Sequence, residues 1–404
     1  IVTGAGPAGL AAAALTAEQG MNTAIVTGPA DPFAPYRDPR TIALMRPSVH
    51  LLEHLNLFTD DLRAVSNPLK KLRLVDDTGG VFSAPPVTFE AAEAGWEAFG
   101  WNVPLHDLHP ALARKAKELD VTFINDSALG VVPDRRTIAR LHLEGGETIA
   151  APLILAADGR ASRVRESARF SMLRHDYDQV AVGCFFAHSA PHDDMSTEYH
   201  KPDGPFTTVP MPDDHSSLVW MMRPEKAKEV MALSPDDLAG RIQIESHGEL
   251  GRIGDVKYVK SFPMQTMTAQ DYAAGRIMLV GEAAHAVPPI GAQGLNMSLR
   301  DAALAAELAG DAFQMGDDIG ADALMVQYDR IRRRDIFPRK AVIHLVNSAL
   351  LSNFAPLQAL RAGGIALAKY LPIYRDIIMR QGLAPANAHV PRLMREKPAS
   401  SAAA

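Results

Sequence analysis

The chain opens with IVTGAGPAGLAAAALTAEQG, residues 1–20: a short apolar run, three glycines at a fixed spacing, then an alanine-rich stretch. Ile1, Val2 and Thr3 read as the end of a β-strand. Gly4-Ala5-Gly6-Pro7-Ala8-Gly9 turns that strand into a helix reaching about Gly20, and a second strand follows at 22–26. Gly4 permits the tight turn, Gly6 lets backbone approach a diphosphate, and Gly9 lets the helix pack closely on its strand. The unpaired N–H groups of the helix start, with the positive end of its dipole, would face phosphates. A glycine-rich turn alone says little; flanked by strand, helix and strand it reads as a dinucleotide-binding unit. The acid that would hold a ribose hydroxyl after the second strand is absent. Thr27-Gly28 stands there, and Asp31 is the nearest carboxylate.

Two distant segments extend this reading. In ADGRASRVR, residues 157–165, Asp158-Gly159 ends the apolar run LILAAD and is followed by Arg160, Arg163 and Arg165. Asp-Gly at a strand end can be a plain turn, but these cations suit a diphosphate. The third segment, GRIMLVGEAAHAVPPIGAQGLNMSLRDA at 275–302, is the most specific. A buried strand ends at Gly281-Glu282, offering a carboxylate to sugar or ribityl hydroxyls. A loop follows, rigid at Pro288-Pro289 and permissive at Gly291 and Gly294. The helix beginning at Leu295-Asn296 brings backbone N–H groups against a planar ring whose reduced form is anionic. In this order and spacing the three segments point to FAD. His285 is a candidate acid/base; a hydrogen-bonded structural histidine is the alternative.

At 404 residues the chain exceeds one compact core, so two joined domains are expected. A net charge of −6 without a basic stripe argues against nucleic acid. The cluster Arg330, Arg332, Arg333 and Arg334 reads as a solvated helix face. Cys184 is the single cysteine, which excludes an internal disulfide and a cysteine metal cage; no metal site is expected. Its apolar surroundings at 180–186 suit a buried, inert thiol. No apolar segment reaches the roughly 20 residues that span a bilayer, and no secretory signal is visible. A cytoplasmic location is expected, with peripheral attachment to the inner membrane face as an option. Because the chain opens inside a strand, a few preceding residues are expected to be missing.

The predicted architecture is α/β: a discontinuous Rossmann-like FAD-binding domain (1–69, 106–177 and 266–339) with an inserted, mostly antiparallel β-sheet substrate domain (70–105 and 178–265). A helical C-terminal region, 340–383, and a flexible tail, 384–404, complete it. Residues 38–57 read as a loop entering a helix, 70–87 as a hairpin breaking at Asp77-Thr78-Gly79-Gly80, and 107–119 as a helix capped by Asp107. Strands follow at 121–133, 138–144 and 147–156. Short runs such as QVAVGCFF, FTTVP and SSLVWMM make the inserted sheet, with one helix near 235–246.

The set GxGxxG, DG and GEAAHAVPPIGAQGLNMSLRDA resembles the aromatic-ring hydroxylases of the para-hydroxybenzoate hydroxylase fold. Within them it is most similar to the ubiquinone-biosynthesis hydroxylases of the 2-polyprenylphenol hydroxylase type. DPRTIALMRPS, FGWNVPLHDLHPAL, the FPM run at 262–264 and the terminal LQALRAGGIALAKYLPIYRDIIMRQGLAP support the likeness. The resemblance implies that Arg40 contacts the flavin side of FAD, that Asp158 and Glu282 are paired cofactor carboxylates, and that Pro289, Gly291, Gly294, Leu295 and Asn296 line the isoalloxazine. Glu282 stands where the family has Asp, and Leu105-His106 departs from the family pattern. By this likeness NADH or NADPH reduces FAD, O₂ adds at flavin C4a, and the hydroperoxide hydroxylates a phenol. No second glycine fingerprint is present, which implies transient nicotinamide binding.

No catalytic base is identified. Tyr177, Gln179, Trp220 and His285 are candidates for the ring pocket, with Phe206, Met221, Met222 and Phe262 on its apolar side. The expected substrate is a lipophilic phenol or quinone precursor. Residues 340–383, with AVIHLVNSALL and GGIALAKYLPIY interspersed with Lys340, Arg361, Lys369 and Arg375, either meet a membrane or a quinone-biosynthesis complex, or cover the core. The rival functions are an oxygen-independent flavin reductase of isoprenoid chains and a non-catalytic flavin-binding subunit.

Overall fold

The computed structural model describes residues 1–79, 83–132, 137–351, 355–381 and 388–396. At its centre the strand Val2–Thr3 lies between Ala24–Val26 and Ile154–Ala156, flanked further out by Thr122–Ile124 and Ile277–Leu279. These five strands are parallel, and Ala273–Ala274 adds an antiparallel edge. Ile25, Ile154, Leu155 and Ile277 to Leu279 are buried, as strands covered on both faces require. The helix Pro7–Glu18 packs against Leu105–Glu118 and Gln293–Met315. Ala11 to Ala14, all fully buried, leave room for that close approach.

An eight-stranded sheet forms the other half. Its order is His285–Ala286, Ile253–Ala269, Met172–His188, His215–Met222, Gly204–Met211, Met195–Lys201, Lys71–Asp76 and Val87–Glu90. All pairs are antiparallel except Met195–Lys201 with Lys71–Asp76. Alternation divides its apolar residues between two faces. Val182, Cys184, Phe186, Phe206, Trp220 and Met222 pack beneath the helices Pro224–Met231 and Pro235–Glu245. Ala181, Met221 and Met264 instead meet Ile290 and Ile343. Burial pushes the Cys184 thiol up to about 12, leaving it protonated and inert.

Several expected boundaries move. Two 17-residue strands, Met172–His188 and Ile253–Ala269, run across the divisions expected at 177/178 and 265/266. Their pairing resumes after an irregularity between Asp176 and Val180. The stretch 121–133 divides into Thr122–Ile124, in the parallel sheet, and Ala128–Val132, in a separate three-stranded sheet. Likewise 147–156 divides at Pro152, which lacks a donor for the ladder. The helix expected from Asp107 starts at Leu105, with Pro104 as its cap. Part of the expected flexible tail is packed: Met394 is buried, and Arg392 pairs with Asp311 and Glu307. The remaining tail residues, 384–387 and 397–404, lie outside those described, as does Gly80 of the expected hairpin turn.

Candidate functional site

Thr3, Ala156 and Leu279 stand in one register row of the parallel sheet, Thr3 opposite Ala156 and Ala156 opposite Leu279. The three sequence segments therefore leave the sheet side by side at its carboxyl edge, where ligands of such sheets bind.

The glycines of the first segment divide their work as their surroundings dictate. Gly4 has φ +90°, and a Cβ there would lie 2.4 Å from the Ala157 carbonyl oxygen. A Cβ on Gly9 would lie 1.9 Å from the Gly4 carbonyl oxygen. Gly6 faces open space within 4 Å, room that a diphosphate fits. Gly6 caps the helix and no side chain occupies the helix start, so the N–H groups after Pro7, beginning at Ala8, remain available. Beneath this loop His109 donates from Nε2 to the Ala5 carbonyl at 2.8 Å and stacks on Tyr36 at 3.9 Å. Burial lowers its pKa, partly opposed by that carbonyl. At the end of the second strand, Asp31 accepts from the Phe33 N–H in a local turn.

Asp158 is half-buried and accepts from Ser162 Oγ at 2.6 Å and Val164 N–H at 3.3 Å. Gly159, at φ +81°, completes the turn. The three following arginines separate: Arg160 pairs with Glu282 at 2.8 Å, Arg163 points toward Glu144, and buried Arg165 donates to the carbonyls of Arg160 and Ala283. Arg165 thus ties the second segment to the third. Glu282 and Arg160 are each 50% exposed, so the carboxylate is open to a ligand hydroxyl. On the same rim Arg40 forks onto Asp38 and lies over the Phe262 ring at 5.6 Å.

The Pro/Gly loop is anchored from two sides. Asn296 accepts from Met45 N–H and Ser48 Oγ and donates to the carbonyls of Ala43 and Ala292. Its side chain is fully engaged, holding the loop against the Thr41–Met45 strand. Ala292, at φ +54°, caps the following helix in a conformation that costs a non-glycine residue about 1–2 kcal/mol. Pro289 and Gly291 are exposed, Gly294 faces open space, and Leu295 is half-buried. Gly281, at φ +63°, has Ser298 and Ala8 against its Cα, bringing the first and third segments into contact.

Behind the loop lies a buried chain of ionic contacts. Asp301 Oδ2 accepts from Gly281 N–H at 2.8 Å and His285 Nε2 at 2.7 Å. Asp301 Oδ1 pairs with Arg332 Nε at 2.6 Å. Arg332 and Arg339 both donate to Asp335, at 2.8 and 2.7 Å. Arg339 also donates to Gln293 Oε1 at 2.8 Å, and Gln293 donates to the Gly291 carbonyl at 2.7 Å. Burial would raise the Asp335 carboxyl, but Arg332, Arg300 and Arg339 outweigh it and hold it at about 2. Burial lowers Arg300 to about 10 against the pull of Asp335. His285 is buried and hydrogen-bonded to Asp301, and Arg332, read from sequence as solvated, is fully buried. The spacing of Arg332, Asp335 and Arg339, three and four residues apart, places them on one helix face.

The apolar wall shares Val287 and Ile290 with this loop and adds Tyr177, Ala181, Met221, Met264 and Ile343. Tyr177 Oη lies 3.0 Å from His344 Nδ1 and accepts from Thr266. Gln179 is buried, donating to the Asp203 carbonyl and accepting from Asn347, a partner that sequence reading missed. Trp220 corrects an expectation: it is buried against Phe206 on the opposite face, and its neighbour Met221 faces the loop. Among the described residues no group of His, Cys, Asp and Glu could hold a metal ion.

A dinucleotide edge joined through one Pro/Gly loop to an apolar wall on a large antiparallel sheet defines a flavin-dependent monooxygenase of the para-hydroxybenzoate hydroxylase fold. Residues 1–335 match the FAD binding domain family, and the chain belongs to it, among the FAD-dependent aromatic hydroxylases of ubiquinone biosynthesis. It is 30% identical to the ubiquinone hydroxylase UbiL of Rhodospirillum rubrum, over 98% of this chain and 92% of that protein. To the ubiquinone hydroxylase UbiM of Neisseria meningitidis it is 27% identical, over 94% of this chain and 83% of the relative. Among solved structures, p-nitrophenol 4-monooxygenase PnpA of Pseudomonas putida superposes with a TM-score of 0.73 at 18% identity, covering 94% of this chain and 96% of that one, a likeness of fold. The cofactor is FAD, and NADH or NADPH with O₂ are the usual cosubstrates of the class.

Proposed function

We propose that the chain hydroxylates a phenolic ring carrying a prenyl tail, with the ring held against Met221, Met264 and Ile290. The observation that carries this reading is the shared loop: Val287 and Ile290 belong to the apolar wall, while Gly291 and Ala292 lead into the helix start. FAD, when bound and reduced, supplies the oxygen-activating chemistry. Gly4, Gly6, Pro7, Ala8 and Gly9 hold its diphosphate; Asp158, Gly159, Gly281 and Glu282 hold its sugar and ribityl hydroxyls. Pro289, Gly291, Gly294, Leu295 and Asn296 shape the isoalloxazine side, and Arg40 closes the rim. Tyr177 orients the ring, and the apolar wall excludes water.

The prenyl tail needs a route from a bilayer. No helix among the described residues is long and apolar enough to cross a membrane. The helices Ala355–Tyr370 and Pro372–Gln381 nevertheless expose Leu367, Tyr370, Leu371, Ile373 and Ile377 beside Lys369. We assign this patch to peripheral contact with an anionic membrane. Arg375, another expected contact, is committed to Glu93, and the Arg361 side chain lies outside those described.

The test is incubation of the holoprotein with NADH or NADPH, a short-chain prenylphenol and ¹⁸O₂. A product heavier by one labelled oxygen supports hydroxylation; a saturated prenyl chain formed without oxygen supports the reductase, and no flavin reduction supports a non-catalytic subunit. Liposome flotation of Lys369→Glu with Ile373→Ser separates membrane contact from core covering.

A further inference from the structure

We propose that the buried ladder of Arg332, Asp335 and Arg339 sets the reduction potential of the bound FAD, with Arg339 acting through Gln293 as a positioning residue. The proposal rests on assigning the Pro/Gly loop to the flavin ring.

Three observations carry it. The ladder runs from Gly281 N–H and His285 through Asp301, Arg332, Asp335, Arg339 and Gln293 to the Gly291 carbonyl, with contacts of 2.6 to 2.8 Å: all are hydrogen bonds except Asp301 Oδ1 with Arg332 Nε, a close ion pair without hydrogen-bond alignment. It therefore joins the carboxylate turn to the far end of the loop and fixes how the loop presents its backbone donors. Its charges also do not cancel. Arg300, Arg332 and Arg339 stand against Asp301 and Asp335, and Nη2 of Arg332 and of Arg339 finds no acceptor among the described residues. Finally, stability alone does not call for this arrangement, since buried ions can often be replaced by apolar groups of similar volume without loss.

An excess positive charge in a dry interior favours whichever bound species is more negative. Reduced flavin is anionic, so the ladder raises the potential, adding to the dipole of the helix that Gln293 opens. Gln293 transmits the effect by holding the Gly291 carbonyl, which orients the neighbouring N–H groups.

The experiment measures the two-electron midpoint of FAD in the purified holoprotein by absorbance during reductive titration. Arg339→Met is expected to lower the preference for reduced over oxidised flavin at least tenfold, about 30 mV for a two-electron couple. Gln293→Met, which leaves the Asp335 pairs intact, should shift it less and in the same direction. Arg339→Lys, keeping charge and losing the fork, should lie between Arg339→Met and the unaltered protein. If Arg339→Met does not fold, Gln293→Met and Arg339→Lys decide. Midpoints unchanged in both, even with lower thermal stability, would overturn the proposal and leave the ladder as scaffolding. No phenol is needed, so a failed hydroxylation assay leaves this test standing.

Discussion

The turn at residues 4–9 and the loop at 287–294, both assigned to FAD in the proposed reading, are made rigid by opposite means. The first is held by the absence of side chains: Gly4 and Gly9 touch backbone so closely that no Cβ fits. The second is held by side chains, Asn296 on one flank and the Gln293–Arg339 link on the other. Steric rigidity is local and tolerates no graded change. Ionic rigidity extends over many residues and can be tuned one contact at a time.

The largest expected effect lies in the first region. Gly9→Val should abolish FAD retention, because its Cβ would sit 1.9 Å from the Gly4 carbonyl oxygen. A purified variant retaining full flavin absorbance would break the contrast at once. Gly6→Ala sharpens it: with nothing within 4 Å, the apoprotein should stay as stable as the original while losing FAD affinity. In the second region, Arg332→Ala strips partners from both Asp301 and Asp335. The cost should be about 3–5 kcal/mol in urea unfolding of the apoprotein, the usual effect of orphaning buried charge. A loss of only a few tenths would mean that the ladder carries no tension.

Smaller effects test the rim between the two regions. Glu282→Ala should weaken FAD binding by about 1.5–3 kcal/mol through a lost charge-assisted hydrogen bond. Its effect on folding should be slight, because the half-exposed pair with Arg160 is screened. Glu282→Asp should be milder; equal damage from both, read by flavin fluorescence titration, would point to geometry instead of charge. The smallest effect concerns His109. Its folded pKa is below the ordinary 6.5, so its stabilising contribution is present above that value and lost as pH falls through the lowered one. His109→Gln should flatten the fall in stability on the acid side of 6.5, read from urea unfolding across that range. Identical slopes would remove His109 from the pH response.

Legibility followed the same division. Glycine spacing is a local steric constraint, so the tight turn at Gly4 and the close packing at Gly9 could be read from adjacent residues. Arg332, Asp335 and Arg339 could not be placed, because a helix face of alternating charge suits water as well as a buried partner. Only the packing of Gln293–Met315 on Asp322–Leu351 decides between them. Trp220 and Met221 show the equivalent limit in a strand. The pattern identifies the strand, but which face meets the loop depends on strands far away in sequence. Gln179 stood out in the sequence as a pocket candidate, but its pairing with Asn347 spans 168 positions and could not be read locally.

The register row of Thr3, Ala156 and Leu279 has a consequence for synthesis. The turn at residues 4–9 emerges from the ribosome well before Glu282. At 5–20 residues per second that interval is roughly 15–55 s. Until Ile277–Leu279 arrives, the strand Ile154–Ala156 lacks its parallel neighbour on that side, and the third segment is missing from the carboxyl edge of the sheet. An apolar sheet edge is therefore left open until the last segment arrives, and the three segments can come together only after residue 279 has been made.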